Sequence, residues 1–150
     1  MLIIIAVLIA LFVLFFYMLG VQSKNGHPLG LKAGYLAQCG DKPNCVCSEQ
    51  LGAQGDERWI SPIPLKGNTP IEIWAQVSAK ITELGGEVNQ QTPDYLAANF
   101  TSRVFGFVDD LELRLDAELK QIHVRSASRV GHSDLGKNNQ RVDALSAMFQ

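Results

Sequence analysis

The hydrophobic pattern begins with one long apolar run at residues 2–21. This run, LIIIAVLIALFVLFFYMLGV, contains no charged side chain. At a rise of about 1.5 Å per residue, a helix of this length crosses a hydrocarbon core of about 30 Å. The run is longer than a usual signal-peptide core, has no basic leader and is followed by no clear cleavage site. The pattern therefore predicts a transmembrane anchor at residues 1–21.

A polar stretch without apolar periodicity follows at residues 22–37. It contains Gly26, Pro28, Gly30 and Gly34, and such spacing is typical of an irregular linker. We therefore expect a tether here, followed by a single domain over residues 38–150 that folds without the anchor.

An amphipathic helix is predicted to begin after Thr69. Thr69, Pro70 and Glu72 match a capping box with proline at the first helical position. Gly85 and Gly86 predict its end. The apolar residues expected on one stripe of this helix are Ile71, Trp74, Val77, Ile81 and Leu84.

Alternation of apolar and polar residues then predicts an antiparallel sheet. Residues 95–102, 104–116 and 119–128 alternate as strands, and residues 87–92 are compatible with one more. On the longest strand, Leu111, Leu113 and Leu115 are expected to face the core, with Asp110, Glu112, Arg114 and Asp116 facing outward.

A last helix is predicted to begin near Asn138 or Asn139, either of which can cap it. Its apolar stripe is Val142, Leu145 and Phe149. Two helices on one face of an antiparallel meander of about four strands make the domain an α+β sandwich.

The turn between the last two strands decides which residues pair. A two-residue turn at residues 117–118 puts Asp110 opposite Arg125. A slip by two residues keeps the same faces and puts Glu112 opposite Arg125. Either register predicts an acidic strand partner for Arg125.

Charge is informative only where it clusters. The chain of 150 residues has a net charge of −2, so no overall field attracts nucleic acid, and we expect no nucleic-acid partner. Residues 125–141, RSASRVGHSDLGKNNQR, nevertheless concentrate arginine, serine, aspartate and asparagine in one segment. Charged side chains in a fold are costly without partners, so such a segment is either a closed network or a binding site.

Three motifs together resemble a known family. They are PNCV at residues 43–46, GFVDDLELRLD at residues 106–116, and RSASR with SDLG, Asn138 and Arg141 in the cluster. The chain is thereby similar, from about Cys39 onward, to the bacterial and plastid domain-of-unknown-function family fourteen-ninety-nine. The resemblance implies a fold and no mechanism. Two positions depart from the pattern: Cys47 stands where serine is expected, and Asn139 where a second basic residue is expected.

Three cysteines lie within nine residues around a Pro-Asn turn. Cys39 is close enough to bridge Cys45, and these two positions also match a cysteine pair in the similar family. Such a bridge favours an exported compartment, whereas Lys24, Lys32 and Lys42 after the anchor favour a cytoplasmic domain. We expect a single-pass protein of the bacterial inner membrane with its domain in the periplasm. Cys45 and Cys47 lack two further ligands for a metal, and no cofactor is expected.

The serine, histidine and aspartate side chains of the cluster suggest a hydrolase, but the sequence does not favour this interpretation. The cluster contains serine, histidine and aspartate, but no Gly-x-Ser-x-Gly elbow is present, and similar proteins often carry an aromatic residue at His132. Asp109 and Asp110 point to opposite faces of their strand, so only one can join any site with His123. We therefore expect no enzymatic activity. The residues that would suggest a hydrolase are Ser126, Ser128, His132, Ser133 and Asp134.

The favoured interpretation of the cluster is a structural network. In it, Asp109, Asp110 and Asp134 neutralise the arginines, Arg125 among them. The protein then has a structural or partner-docking role in the cell envelope.

The alternative is a binding site for an anion. Ser128, Arg129, Asn138 and Arg141 would hold an anionic small molecule or a lipid headgroup at the start of the last helix. The expected partners are accordingly the membrane, an envelope protein or an anionic lipid.

Overall fold

The computed structural model describes residues 1–50, 56–66 and 69–149. Within these ranges the helices are α1 (Leu2–Lys24), α2 (Pro70–Glu83) and α3 (Lys137–Ala147). The strands are β1 (Leu31–Lys32), β2 (Tyr35–Leu36), β3 (Cys45–Cys47), β4 (Ile63–Pro64), β5 (Glu87–Gln91), β6 (Tyr95–Thr101), β7 (Val108–Asp116) and β8 (Gln121–Ser128).

The main sheet is antiparallel, in the order β3-β8-β7-β6-β5. Strands β5 to β8 form the predicted meander, so the α+β class is confirmed. Strand β3 and the short β4 both pair with the outer side of β8 and cover that edge. The pattern of the sequence did not predict β3, because a three-residue strand is too short to show alternation.

The main core lies between the sheet and the two helices α2 and α3. The capping box of α2 is confirmed, because the backbone N of Glu72 donates to Thr69 and the backbone N of Thr69 donates to Glu72. Ile71 was placed wrongly, since it is 76% exposed, whereas Ile73 is buried. A residue four positions before Val77 lies on its stripe, and that residue is Ile73. The core residues of the helices and sheet include Trp74, Val77, Ile81, Leu96, Leu111, Leu113, Val124, Val142 and Leu145.

The β7–β8 connection is longer than the two residues predicted. Asp116 pairs with Gln121, so the connection spans residues 117–120, and Glu112 faces Arg125. The carboxylate of Asp116 accepts a hydrogen bond from the backbone N of Leu119 at 2.9 Å, and Lys120 has a φ of 51°. An aspartate that bonds the backbone two or three residues later favours this wider turn. The register slipped by two residues is therefore the correct one.

The second face of the sheet is covered rather than solvated. Asp110 is 4% exposed and Glu112 is 0% exposed, so their prediction as outward-facing residues was wrong. A second cluster lies over this face, formed by Leu36, Cys39, Cys45, Cys47, Tyr95, Ala97 and Ala127. Part of the predicted tether therefore belongs to the packing, because Leu36 of the β1–β2 hairpin is 1% exposed.

Helix α1 is long and apolar enough to cross a membrane, and its most apolar window has no buried residue. Its last turns nevertheless dock on the domain. Gly20 and Ser23 are buried, and the Ser23 hydroxyl accepts a hydrogen bond from the backbone N of Val108 at 3.0 Å. A Cβ on Gly20 would lie 1.8 Å from the carbonyl oxygen of Phe105, so only glycine allows this approach.

The predicted disulfide between Cys39 and Cys45 is present. Cys47 is a free thiol with 0% exposure. Burial is the main reason that the pKa of Cys47 is raised to about 11, and this keeps the thiol protonated and unreactive.

We therefore predict that a thiol reagent labels no cysteine in the folded protein without reductant. After denaturation it should label Cys47 alone, and after reduction and denaturation all three cysteines. Mass spectrometry of the labelled full chain measures this. Labelling of Cys39 or Cys45 in unreduced, denatured protein would contradict the bridge, and rapid native labelling of Cys47 would contradict its burial.

Candidate functional site

Several residues of the three motifs meet around Asn138, beside the main core. The side chain of Asn138, 1% exposed, lies at the centre. Its Oδ1 accepts from the hydroxyl of Ser126 at 2.6 Å, and its Nδ2 donates to the carbonyl of Asn44 at 3.0 Å. Nδ2 also lies 3.3 Å from the hydroxyl of Ser128. This network joins the cysteine segment, strand β8 and helix α3.

Asp134 lies two residues before the N-cap of helix α3 and bonds its first turn. Its carboxylate accepts hydrogen bonds from the backbone N of Gly136 at 3.3 Å and of Asn138 at 2.6 Å. The N-cap position is Gly136 with a φ of 76°, so neither Asn138 nor Asn139 caps the helix, and that prediction was wrong. Asp134 was expected to neutralise an arginine, and its carboxylate instead accepts from the N–H of Asn138 in the first turn of the helix. This N–H group is therefore taken by a protein carboxylate.

Arg141 completes the network on the helix-covered face. It donates to Asp109 at 2.8 Å and to Ser126 at 2.9 Å, and it also bonds Asn138. Its guanidinium lies 4.5 Å from the centre of the Phe100 ring. The donors of Arg141 are thus directed at protein acceptors and its flat surface at an aromatic ring.

Arg129 lies on the opposite face. It forms two hydrogen bonds to the carboxylate of Asp110, at 2.9 and 2.7 Å, and one to the carbonyl of Ser23 in α1 at 3.2 Å. Asp109 and Asp110 are adjacent in β7 and point to opposite faces, as expected for a strand. Each aspartate takes one arginine. The structure therefore does not bring Arg129 and Arg141 together as one site.

The ion pair between Glu112 and Arg125 is the most deeply buried charge pair of the described residues. Arg125 donates to Glu112 at 2.9 Å, and the side chains are 8% and 0% exposed. The Glu112 carboxylate also accepts from the Tyr95 hydroxyl and from the backbone N of Gly30, each at 2.7 Å. The pKa of the Tyr95 hydroxyl is raised, mainly because the group is buried and to a smaller extent because it contacts the Glu112 carboxylate. The expectation of an acidic strand partner for Arg125 is confirmed.

A further polar row continues along this second face. Glu49 accepts from Arg114 and from the backbone N of Leu36 at 2.7 Å. His123 lies 3.2 Å from the Ser48 hydroxyl through Nδ1. Burial lowers the pKa of His123 below its ordinary value, although the nearby Glu49 acts in the other direction. Sequence reasoning missed Ser48 and Glu49, because they follow a short strand and carry no periodic signal.

The predicted absence of a triad can be compared with the actual contacts. Ser126 donates to an asparagine oxygen, and Ser128 also contacts Asn138, so both hydroxyls belong to the network. His132 is exposed on the loop at residues 130–135. Ser48 is the serine that a histidine contacts, but its oxygen also accepts from the backbone N of Val124 at 2.9 Å. Among the described residues, no group of three or more His, Cys, Asp or Glu is placed to hold a metal ion.

These observations define an α+β domain in which the shared motif residues bind one another. The family model described as "Protein of unknown function (DUF1499)" matches residues 35–149. The chain therefore belongs to this family, and the resemblance noted from its motifs is confirmed. A comparison with curated proteins finds no match. The family description names no reaction, and nothing in it points to catalysis.

The buried ion pair gives a first prediction for this site. Substituting Arg125→Met leaves Glu112 buried without its cation, and we expect this to lower the free energy of unfolding by about 3–5 kcal/mol. Urea denaturation of the full chain in detergent micelles measures it. The double variant Glu112→Leu/Arg125→Met removes both charges and should recover much of the loss.

The exposed Arg103 supplies the control for this measurement. Arg103→Met removes the same side chain from the surface and should change stability by no more than about 0.5 kcal/mol. An equal effect of Arg125→Met and Arg103→Met would show that the buried pair does not stabilise the fold.

His123 gives a prediction about pH. Because its pKa is lower in the folded protein than the ordinary value of 6.5, the unfolded chain takes up the proton first. Stability is therefore full above about pH 6.5 and falls as pH decreases toward the lower, folded pKa. His123→Gln should remove this dependence below about pH 6.5. Thermal unfolding at several pH values measures it, with His132→Gln on the exposed loop as the control; an unchanged slope in His123→Gln would contradict the prediction.

Proposed function

We propose that this protein is a non-enzymatic, single-pass protein of the bacterial inner membrane whose domain has a structural or partner-docking role in the cell envelope. The observation that carries the proposal is the closed network around Asn138. The side chains that characterise the family motifs are bonded to one another, which is the arrangement expected of residues that determine a fold. A site for chemistry would instead present groups to a substrate.

Two further features support the cellular part of the proposal. Helix α1 has the length and hydropathy of a membrane span. The Cys39–Cys45 disulfide favours an oxidising compartment, because such bridges are rare in the reducing cytosol. Together they support an anchor in the inner membrane with the domain in the periplasm.

The alternative, an anion bound by Ser128, Arg129, Asn138 and Arg141, receives less support. A bound anion would have to displace Asp110 from Arg129 and Asp109 from Arg141. The two arginines also lie on opposite faces of β7, so they cannot share one small anion. Their side chains are 10% and 12% exposed, which leaves little surface for an external ligand.

We predict that Arg141→Gln lowers the free energy of unfolding by about 2–4 kcal/mol, because it leaves Asp109 without its cation. The side chain of Asp109 is 16% exposed, so solvent screens part of the loss. Urea denaturation of the full chain in detergent micelles measures this loss. In thermal unfolding, inorganic phosphate should not raise the melting temperature of the wild-type chain more than an equal ionic strength of chloride does. The matched control is Arg103→Gln.

Two results would contradict the structural role of the motif. One is that phosphate raises the melting temperature of the wild-type chain in a concentration-dependent way and that Arg141→Gln abolishes the rise, since a ligand that binds only the folded state stabilises it. The other is that Arg141→Gln costs no more than Arg103→Gln. The first result would establish the anion-binding alternative.

A further inference from the structure

An apolar groove lies between helix α1 and the loop at residues 130–135. Its volume is about 540 Å³, within the range of small-molecule sites of about 300–1,000 Å³. The apolar walls come from both elements and from the turn before β7. The residues that form them are Phe15, Phe16, Leu19, Phe107, Val130 and Leu135.

Two loops of the domain present exposed apolar side chains next to this groove. Leu135, on the groove wall, is 85% exposed, and Val104, in the turn at residues 102–107, is 82% exposed. The same turn carries Phe105 and Phe107, whose rings lie 5.4 and 6.3 Å from that of Phe16. A single exposed apolar residue needs no explanation, but several on adjacent loops beside one apolar helix indicate a surface that contacts something apolar.

The length of α1 indicates what covers these loops. The domain meets the helix from Phe15 onward, and residues 2–14 extend only about 20 Å at 1.5 Å per residue. A hydrocarbon core is about 30 Å thick. A spanning α1 must therefore place residues 15–21 in the membrane as well. The side chains beside them, including Phe105 and Phe107, then lie at the level where aromatic residues are enriched, the membrane interface.

The position of the helix against the domain is fixed by close contacts. The carbonyl of Phe105 approaches Gly20, and Ser23 binds the backbone N of Val108 and the side chain of Arg129. These contacts set how deep the domain lies relative to the helix. The two apolar loops therefore cannot withdraw from the membrane surface while α1 spans it.

The charges in and near the groove favour one kind of lipid. Lys137 lines the groove together with Asp109 and Asp134, whose carboxylates are already bonded to Arg141 and to the backbone N of Asn138. Outside the groove, Lys24 ends α1 beside the turn at residues 102–107, and Arg103 lies in that turn. All three basic side chains are exposed. Basic residues next to a membrane-spanning helix attract anionic headgroups at the membrane surface.

We propose that this groove holds one anionic phospholipid of the surrounding bilayer, with an acyl chain between α1 and the loop at residues 130–135 and its headgroup beside Lys137. The inference rests on the proposed membrane anchor. It assigns the lipid contact to Leu135 and Lys137, and not to the paired arginines of the neighbouring network.

The depth of the loops can be measured in vesicles of phosphatidylcholine and phosphatidylglycerol. A nitroxide is attached to the full chain through Val104→Cys, Leu135→Cys or Leu119→Cys; the native Cys47 is buried. Leu119, 68% exposed, lies in the turn at the opposite end of β7 and serves as the control. We expect labels at 104 and 135 to be several-fold more accessible to oxygen than to a water-soluble nickel complex, and the label at 119 to show the reverse.

The bound lipid can be measured by native mass spectrometry. The full chain is released from lipid nanodiscs that contain equimolar phosphatidylcholine and phosphatidylglycerol. We expect one retained phosphatidylglycerol. Val130→Trp fills the groove and should reduce retention several-fold, whereas Leu119→Trp should not. Lys137→Glu should shift the retained lipid toward phosphatidylcholine.

The outcomes separate this inference from the proposed function. If the chain resists extraction by alkaline carbonate but the label at 135 is in water, or no phospholipid is retained, the groove assignment is wrong and the anchor stands. Equal retention by Val130→Trp and the wild type would also overturn the assignment. If carbonate releases the chain from membranes, the anchor itself fails, and the groove assignment fails with it.

Discussion

The burial of one carboxylate constrains how this chain can fold. Glu112 lies in the middle strand of the sheet with no exposed surface, and a charge in such a place is tolerated only when its bonds are satisfied. Its partners come from three distant parts of the chain: Arg125, Tyr95 and the backbone of Gly30. The segment before the cysteines must therefore fold back over the sheet. Without it, the second face would lose both its cover and one of the bonds to Glu112.

Strand β7 also connects the two faces at its other end. Asp109 binds Arg141 on the face covered by the helices, and Asp110 binds Arg129 on the face where α1 docks. Two neighbouring residues thus attach α3 to the sheet on one side and the end of α1 on the other. The two successive aspartates of this chain are therefore not interchangeable, since each binds a different arginine on a different face of the sheet.

Local signals in the sequence were sufficient for much of the fold. The capping box at Thr69, the meander and the Cys39–Cys45 bridge each depend on residues close together in the chain. The burial of Asp110 and Glu112 could not be predicted in this way, because alternating charges on a strand look the same whether the face is solvated or covered. The hydrogen bond from Gly30 to Glu112 joins residues 82 positions apart, and no local pattern in the sequence predicts it.

The candidate site was predicted in its members but not in its geometry. Ser128, Asn138 and Arg141 do meet, as their clustering suggested, but Arg129 lies on the other face of the sheet. Strand alternation assigned Asp109 and Asp110 to opposite faces. It could not assign the arginines, because Arg129 follows the end of β8 and Arg141 lies on a helix. Asp134 was likewise ambiguous, since an aspartate before a helix can bind either an arginine or the free N–H groups.

The close fit of Gly20 against the Phe105 carbonyl has a consequence for how the domain meets other molecules. A domain on a loose linker rotates freely and samples all orientations above the bilayer. With α1 spanning a membrane as proposed, the contacts of Gly20 and Ser23 hold this domain against its helix, so rotation about the membrane normal is its main remaining freedom. A neighbour in the same membrane then encounters the domain at a constant height and tilt, and the two molecules search for each other in a plane and by a single rotation. Orientation is a major reason that association is slower than diffusion allows, and holding the domain against its helix lessens that barrier before any contact is made.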